Sequence, residues 1–339
     1  MKLSKITILG LALFTFFTAC KKDDDIIEAI PERDRAEVYA EDLAEIEDFL
    51  THHFYNYEEF EANPAYSDLT TNPYTVTPND SFNIVFDTIA GANSDKIPLI
   101  DQVEFKFVTG TDGIEYKLYY LTVREGLGSS LHELDRAIVS YNGLLPNRES
   151  FDSSPTPISF NLTTIGGIAG VVQGFRDGLV NFKTSQDFTE NPADGSIVYH
   201  NHGIGAVFIP SGLGYFSLPV GTIPTYSPII FSFNLIDRND TDYDLDNIPS
   251  YLEDLNGDGN GFNEDTDGDG LNNFFDNDDD GDGVLTRDED LEDTDLNVDS
   301  DGDGDPTNDR NGDGNPLNDD TDGDGIPNYL DADTAISRL

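Results

Sequence analysis

The chain has 339 residues, 67 of them acidic against 18 Lys and Arg, for a formal net charge of −49. A surface so negative excludes nucleic acid and anionic lipid headgroups as partners held by charge attraction. A single cysteine, Cys20, excludes an intramolecular disulfide, which leaves core packing and metal to hold the fold.

Residues 1–19 carry Lys2 and Lys5, an apolar run from Ile6 to Phe17, and small residues up to Cys20. A basic start, a short apolar stretch and a small-residue cut site predict a secretory signal, too short to stay as a membrane-spanning helix. Cys20 stands where a bacterial lipobox places its acylated cysteine, which predicts a lipid anchor in the outer membrane of a Gram-negative bacterium, facing the periplasm or the cell surface. The tether at 20–31 begins Lys21-Lys22-Asp23-Asp24-Asp25. It resembles the surface-export signal of some such lipoproteins and reads equally as a solvated linker.

Residues 32–59 are predicted helical: Pro31 precedes Val38, Leu43, Ile46, Phe49 and Leu50, spaced for one face among many acids. His52 and His53 at its end are expected to answer the helix dipole, not to bind metal. Residues 60–112 have no functional reading. Asn63-Pro64, Asn72-Pro73 and Pro78 predict a loop from Phe60 to Pro78, and alternation at Phe82, Ile84, Phe86 and again at Val103, Phe105, Phe107 predicts extra strands, or a small subdomain. A turn at Thr109–Gly113 leads into a strand over Ile114–Val123.

From Ile138 to Gly178 the chain concentrates Tyr141, Phe151, Asp152, Phe160, Val171, Val172 and Phe175 with few charges. A strand starting at Ile138 breaks at Asn142-Gly143, and an extended Val171-Val172 enters a short helix over Gln173–Leu179. No Ser/His/Asp set, phosphate loop or Cys/His cluster is present. The expectation is an aromatic-lined apolar pocket with one carboxylate at its edge, a shape that takes small apolar groups. Downstream, His200 and His202 would point the same way on a strand, but two ligands are too few for a metal, and a solvated loop tip is expected.

Tyr141-Asn-Gly143, Phe151-Asp152-Ser153-Ser154, Val171-Val172-Gln-Gly174-Phe175, Ile209-Pro210-Ser211-Gly-Leu213-Gly-Tyr215 and Gly221-Thr-Ile223-Pro224 with Pro228 and Phe231 come in one order. Together they resemble FKBP-type peptidyl-prolyl cis-trans isomerases over residues 113–237, with an insertion at 183–203. The resemblance implies an α+β fold, an antiparallel twisted half-barrel sheet wrapped around a short helix, here with an N-terminal helix before it. It implies Phe175 as pocket floor, walls of Tyr141, Phe160 (or Ile158), Val171, Val172, Ile223 and Phe231, and Phe151 beside them. Asp152 and Tyr215 would stand at the rim, with the Val172 N–H holding a substrate carbonyl. The implied activity needs no cofactor, and the partners are proline-containing unfolded or exported polypeptides. Phe175 replaces the usual Trp, and Phe216 follows Tyr215 where the family has Gly. A non-catalytic binding or adhesion module held out on calcium-stiffened repeats is the alternative reading.

After Ile236 the composition changes. Residues 237–339 contain 35 of the acidic residues and only four arginines, a net charge of −31. Segment 238–333 repeats a loop, clearest in Asp265-Thr-Asp267-Gly-Asp269-Gly and Asp320-Thr-Asp322-Gly-Asp324-Gly. Calcium takes six to eight hard oxygens, which such a loop offers from positions 1, 3, 5, 7, 9 and 12 with Gly turning the chain at 6. The candidate ligands are Asp254, Asn256 and Asp258; Asp265, Asp267, Asp269, Asn273 and Asp276; Asp278, Asp280, Asp282 and Glu289; Asp299, Asp301 and Asp303; Asp309, Asn311 and Asp313; and Asp320, Asp322, Asp324, Asn328 and Asp331. A looser copy begins at Asp242. Spacers too short for EF-hand helices, and acids shared between loops, resemble thrombospondin type-3 repeats without their cysteines. Structural calcium is the expected cofactor.

Overall fold

A computed structural model describes residues 31–62, 78–190, 192–289, 291, 315–320 and 323–333. The signal sequence, the tether with Cys20, and the candidate ligands Asp299, Asp301, Asp303, Asp309, Asn311, Asp313 and Asp322 lie outside the described residues. Among the described residues no helix is long and apolar enough to cross a membrane.

Helix α1 (Arg35–His52) starts where Asp34 accepts the Glu37 N–H at 2.9 Å, an N-cap that satisfies a donor of the first turn. It buries Val38, Ile46, Phe49 and Leu50. At its end the His52 and His53 rings donate from Nδ1 to the carbonyls of Asp48 and Phe49, each at 2.9 Å, the exposed acceptors of a last turn. Strand β1 (His53–Tyr55) follows at once, then helix α2 (Tyr57–Ala62), and β1 pairs antiparallel with β2 (Phe86–Thr88). Phe60, expected to open a loop, is buried in α2. Phe82 and Ile84 lie before β2, not in it, yet pack with Phe86.

Six strands form the main sheet, all neighbours antiparallel, in the order β3-β4-β9-β10-β5-β6. They are β3 (Glu104–Thr109), β4 (Glu115–Arg124), β5 (Arg136–Leu144), β6 (Ser150–Asn161), β9 (Gly203–Ile209) and β10 (Ile229–Asn239). Alternation sends Tyr119, Leu121, Ile204, Ala206, Phe208 and Ile230 to one face, where they join Ile46, Phe49 and Leu50 of α1 with Phe60, Ile84, Phe86 and Leu99. Phe60, Ile84, Phe86 and Leu99 therefore share a core with α1 and the sheet instead of making one of their own. The other face sends Tyr116, Leu118, Val139, Val207, Ile209, Phe231 and Phe233 against helix α3 (Gln173–Leu179). Every residue of β9 is buried, as a central strand covered on both faces must be. At the far edge, β6 carries Pro155 and Pro157 where the pairing jumps from Val139↔Ile158 to Tyr141↔Ser154.

α3 lies close on β9 because Gly174 and Gly178 face it. A Cβ on Gly178 would sit 2.3 Å from Val207 Cγ2, and one on Gly174 2.4 Å from Ile209 Cγ2. Gly178→Ala is expected to cost roughly 1–3 kcal/mol as the helix is pushed off the strand, read from denaturant midpoints.

Asp42 ties α1 to the turn after β9: Ser211 donates its N–H at 2.7 Å and its hydroxyl at 2.6 Å to Asp42 Oδ2. Burial pushes this carboxyl up to about 6 although both Ser211 bonds act the other way. The folded chain thus holds the proton more tightly than the unfolded one. This stabilisation is complete below the ordinary value of 3.8 and is lost as pH rises through about 6. Wild type should lose about 3 kcal/mol relative to Asp42→Asn between those limits, a gap that unfolding measured across pH will read.

The insertion folds as a hairpin, β7 (Asp187–Glu190) with β8 (Ile197–His200). The solvated tip expected for its histidines is not what forms: His200 and His202 are 1% and 2% exposed. His200 Nδ1 lies 3.3 Å from Asp80 Oδ2 and its Nε2 2.7 Å from Thr189 Oγ1. Arg124 bonds Asp80 at 2.8 Å and the His202 carbonyl at 2.6 Å. Burial and the Arg124 charge push the His202 ring down to about 4, so it stays neutral. The hairpin's His200 thus faces the buried Arg124–Asp80 ion pair at the end of β4.

Candidate functional site

Where α3 meets the edge of the sheet, an open pocket of about 190 Å³ is lined by Tyr141 of β5, Asp152 and Phe160 of β6, Gly170, Val171 and Val172 before α3, Phe175 of α3, Tyr215 and Phe231 of β10. Phe175 is buried, its ring centroid 4.6 Å from that of Phe231 and 5.8 Å from Phe233. Tyr141 lies between Phe160 at 5.5 Å and Phe231 at 5.9 Å. These spacings suit tilted and edge-to-face ring packing, so the wall rings support one another without a ligand. Phe160 takes the wall position, while Ile158 is 36% exposed outside the pocket.

The polar rim is small. Tyr141 donates its hydroxyl to Asp152 Oδ2 at 2.6 Å. Burial first, then the Asp152 carboxylate, holds the proton on Tyr141; the same two causes hold it on Tyr215. Two phenols that stay neutral thus face one carboxylate across an apolar floor. Val171 donates to the Asn161 carbonyl at 3.1 Å. The next N–H, that of Val172 at the start of α3, has no acceptor among the described residues.

Two expected members stand back from the cavity. Phe151 packs edge-on behind Phe231 at 5.5 Å, and Ile223 is buried in the core beside a bridge from Val220. Each supports a wall without lining it, because the strand pleat and the turn aim them inward. Gly170 was not anticipated. A Cβ there would lie 2.4 Å from the Thr163 carbonyl carbon, so the Gly-rich run Ile165–Gly170 was the available signal. Phe216, standing where a glycine was expected, keeps the left-handed backbone glycine favours, φ 47°. Its ring lies away from the pocket, 5.0 Å from Tyr226 and under the Arg35 guanidinium at 3.9 Å.

The acidic region forms a second candidate site. Loops beginning at Asp242, Asp254, Asp265, Asp278 and Asp320 share one backbone. Positive φ occurs at the fourth and sixth residues of each, at Gly257 and Gly259, Gly268 and Gly270, Gly281 and Gly283, Gly323 and Gly325, and without glycine at Leu245 and Asn247. The first carboxylate accepts the sixth N–H in each, from 2.7 Å at Asp254 to 3.4 Å at Asp278. Carboxylate oxygens of Asp265, Asp267 and Asp269 lie within 4.8 Å of one another, as do those of Asp278, Asp280 and Asp282, and of Asp242, Asp244 and Asp246. Hard oxygens in this number fit calcium. In loop 278–289 the fit extends to Glu289, which is buried, with Oε1, Asp280 Oδ2 and Asp282 Oδ2 lacking protein partners. Burial and the neighbouring Asp280, Asp282 and Asp278 push Glu289 up to about 9.

Other candidates are differently engaged. Asn273 spends both ends of its amide on Thr266, at 2.9 and 3.0 Å, bracing its loop. Asp254 Oδ2 faces His132 Nε2 at 3.2 Å, and Asn256 donates to Glu264. Asp258 accepts from Asn260 and Asn263, Asp324 caps Ile326, and Asp331 accepts from Asp333. The charges of Asp269, Asp267 and Asp278 act on Asp276, and the charge of Asp331 reaches Asp280 and Glu289. Asn328 is buried, its N–H on the Asp319 carbonyl at 2.7 Å. This region docks on the loop leading to the pocket: Phe274 and Tyr243 pack with Leu134 and Ile165.

Residues 243–297 match the BamM C-terminal family, BamM_C. That family stands where the sequence resemblance placed thrombospondin type-3 repeats. No curated protein matches. Among solved structures, the chain is similar to a peptidyl-prolyl cis-trans isomerase from Pseudomonas syringae pv. tomato, at 23% identity and a TM-score of 0.29, over 39% of this chain and 80% of that one. It is similar to FkpA from Escherichia coli at 28% identity and a TM-score of 0.29, over 39% of this chain and 51% of that one. A third is AtFKBP13, at 22% identity and a TM-score of 0.27, over 40% of this chain and 99% of that one.

Proposed function

We propose that residues 113–237 are an FKBP-type peptidyl-prolyl cis-trans isomerase domain acting on proline-containing unfolded or exported polypeptides in the bacterial envelope. Cys20 would anchor the protein to the outer membrane, and the acidic loops would bind structural calcium. The observation that carries the activity is the pocket itself, a buried aromatic floor at Phe175 with a single hydrogen-bonded carboxylate, Asp152, at its rim.

Rotation about a peptide bond meets a barrier of about 18–20 kcal/mol, and prolyl bonds exchange over tens to hundreds of seconds. No covalent bond changes, so the site needs neither nucleophile nor general base. It needs to favour the twisted amide over both planar isomers. A proline ring seated on Phe175 between Tyr141 and Phe231 leaves water behind, and the Val172 N–H is placed to take a substrate carbonyl. Tyr141, fixed by Asp152, keeps the rim in one arrangement.

The full chain should accelerate cis/trans exchange of a Xaa-Pro peptide. Tyr141→Phe, which removes a charge-assisted bond of ~1.4 kcal/mol, should lower kcat/KM about tenfold, and Phe175→Ala should abolish the acceleration. Binding of the peptide without acceleration would favour the non-catalytic module, a reading the replacement of the usual Trp by Phe175 supports.

A further inference from the structure

Asp246, Glu253 and Asp279 place carboxylate oxygens within 4.8 Å of one another, and all three residues are buried. They do not belong to one loop. Asp246 and Glu253 are the fifth and twelfth residues of the loop that starts at Asp242, while Asp279 is the second residue of the loop that starts at Asp278. The second position carries no ligand in the calcium-loop pattern, so spacing alone passes Asp279 over.

Glu253 is 0% exposed, and neither Oε1 nor Oε2 has a protein partner. Asp246 Oδ1 accepts the Ile248 N–H at 2.7 Å, and Asp279 Oδ2 accepts the Thr286 hydroxyl at 3.0 Å. The second oxygen of each lacks a protein partner, as do both oxygens of Asp244, next to Asp246 in its own loop, and the hydroxyl of Tyr329. Apolar Ile248, Leu291 and Tyr329 form a cluster alongside, with Leu252 packed against it. Ionised carboxylates gathered in such surroundings are tolerated only when paired or bound to metal, and no Lys or Arg forms an ion pair with them among the described residues.

We propose that Asp246, Glu253 and Asp279 bind a calcium ion inside the acidic region, pinning loop 242–253 to loop 278–289. This rests on the calcium-binding reading above and adds Asp279, from a second loop, to the ligands that loop 242–253 offers from its own fifth and twelfth positions. The donors are all hard oxygens. Calcium accepts an irregular carboxylate cage, whereas magnesium keeps several waters and an octahedral shell, which a buried site does not favour.

The test is native mass spectrometry of the full chain with added CaCl2, together with melting in calcium and in EGTA. Glu253→Gln/Asp279→Asn is compared with Asp267→Asn/Asp269→Asn, at the exposed triad. The buried-site variant should bind one calcium fewer per chain than wild type. In EGTA it should melt no lower than wild type, because the emptied acidic region adds no folded structure in either chain; in calcium it should melt lower. Unchanged stoichiometry and an unchanged calcium-dependent shift in melting would overturn the site. Loss of an ion in the exposed-triad variant alone would overturn it while leaving the calcium reading intact. A wild-type chain that binds no calcium would overturn both.

Discussion

In EGTA at neutral pH, residues 242–289, 315–320 and 323–333 are expected to lose their folded structure while the six-stranded sheet keeps its own. The reason is the ratio of charge to apolar burial. Segment 237–339 has a net charge of −31, and its described apolar core amounts to Ile248, Leu291 and Tyr329 in one cluster and Phe274 in another. A few such side chains at about 1.5–3 kcal/mol each do not offset both chain entropy and self-repulsion. A bound ion at a hundred times its Kd contributes about 2.7 kcal/mol per site, and five described loops share the calcium-loop backbone. Removing the ions therefore removes on the order of 10 kcal/mol, enough to unfold the region. Limited proteolysis should show new cuts between Thr241 and Leu339 in EGTA, with β3 to β10 still protected. An identical digestion pattern with and without calcium would contradict this.

Phe231→Ala is expected to be the most damaging single change at the pocket. The Phe231 ring touches three others, Phe175 at 4.6 Å, Phe151 at 5.5 Å and Tyr141 at 5.9 Å, so it joins floor to wall. Truncating a buried Phe costs about 3–5 kcal/mol where neighbours cannot close the gap. Here they are held by two strands and α3, so the upper half of that range applies. Activity should fall more than stability explains, because Phe175 and Tyr141 lose a shared support. Phe231→Leu separates the effects: most of the stability should return, while kcat/KM on a Xaa-Pro peptide should stay at least about tenfold down. Full recovery of activity in Phe231→Leu would show that bulk alone is required.

Local signals were legible in the sequence. The 3.6-residue spacing of Val38, Ile46, Phe49 and Leu50 locates α1, and Ile114–Val123 marks β4 to within a residue at each end. The pocket was legible as a set, since Tyr141, Asp152, Phe160, Val171, Val172, Phe175, Tyr215 and Phe231 come together. What pattern could not supply were partners distant in the chain. His200 reads as a loop histidine until Asp80, 120 residues earlier, is seen beside it. Phe82 and Ile84 alternate like a strand but find their burial beside α1 and α2. Asn273 has a ligand's position and a brace's hydrogen bonds. Asp279 is off the loop pattern, and Leu245 and Asn247 disguise a loop whose turn elsewhere uses glycine.

The prolines of β6 bear on whether other chains can add to the sheet. β6 leaves an open sheet border next to the pocket, and a border of free N–H and C=O groups is a template for strand addition. Pro155 and Pro157 remove two donors from that border and sit at a break in its register. An extended peptide meeting this border cannot zip along it in continuous register. Replacing both with residues that donate would open the border to edge-to-edge association.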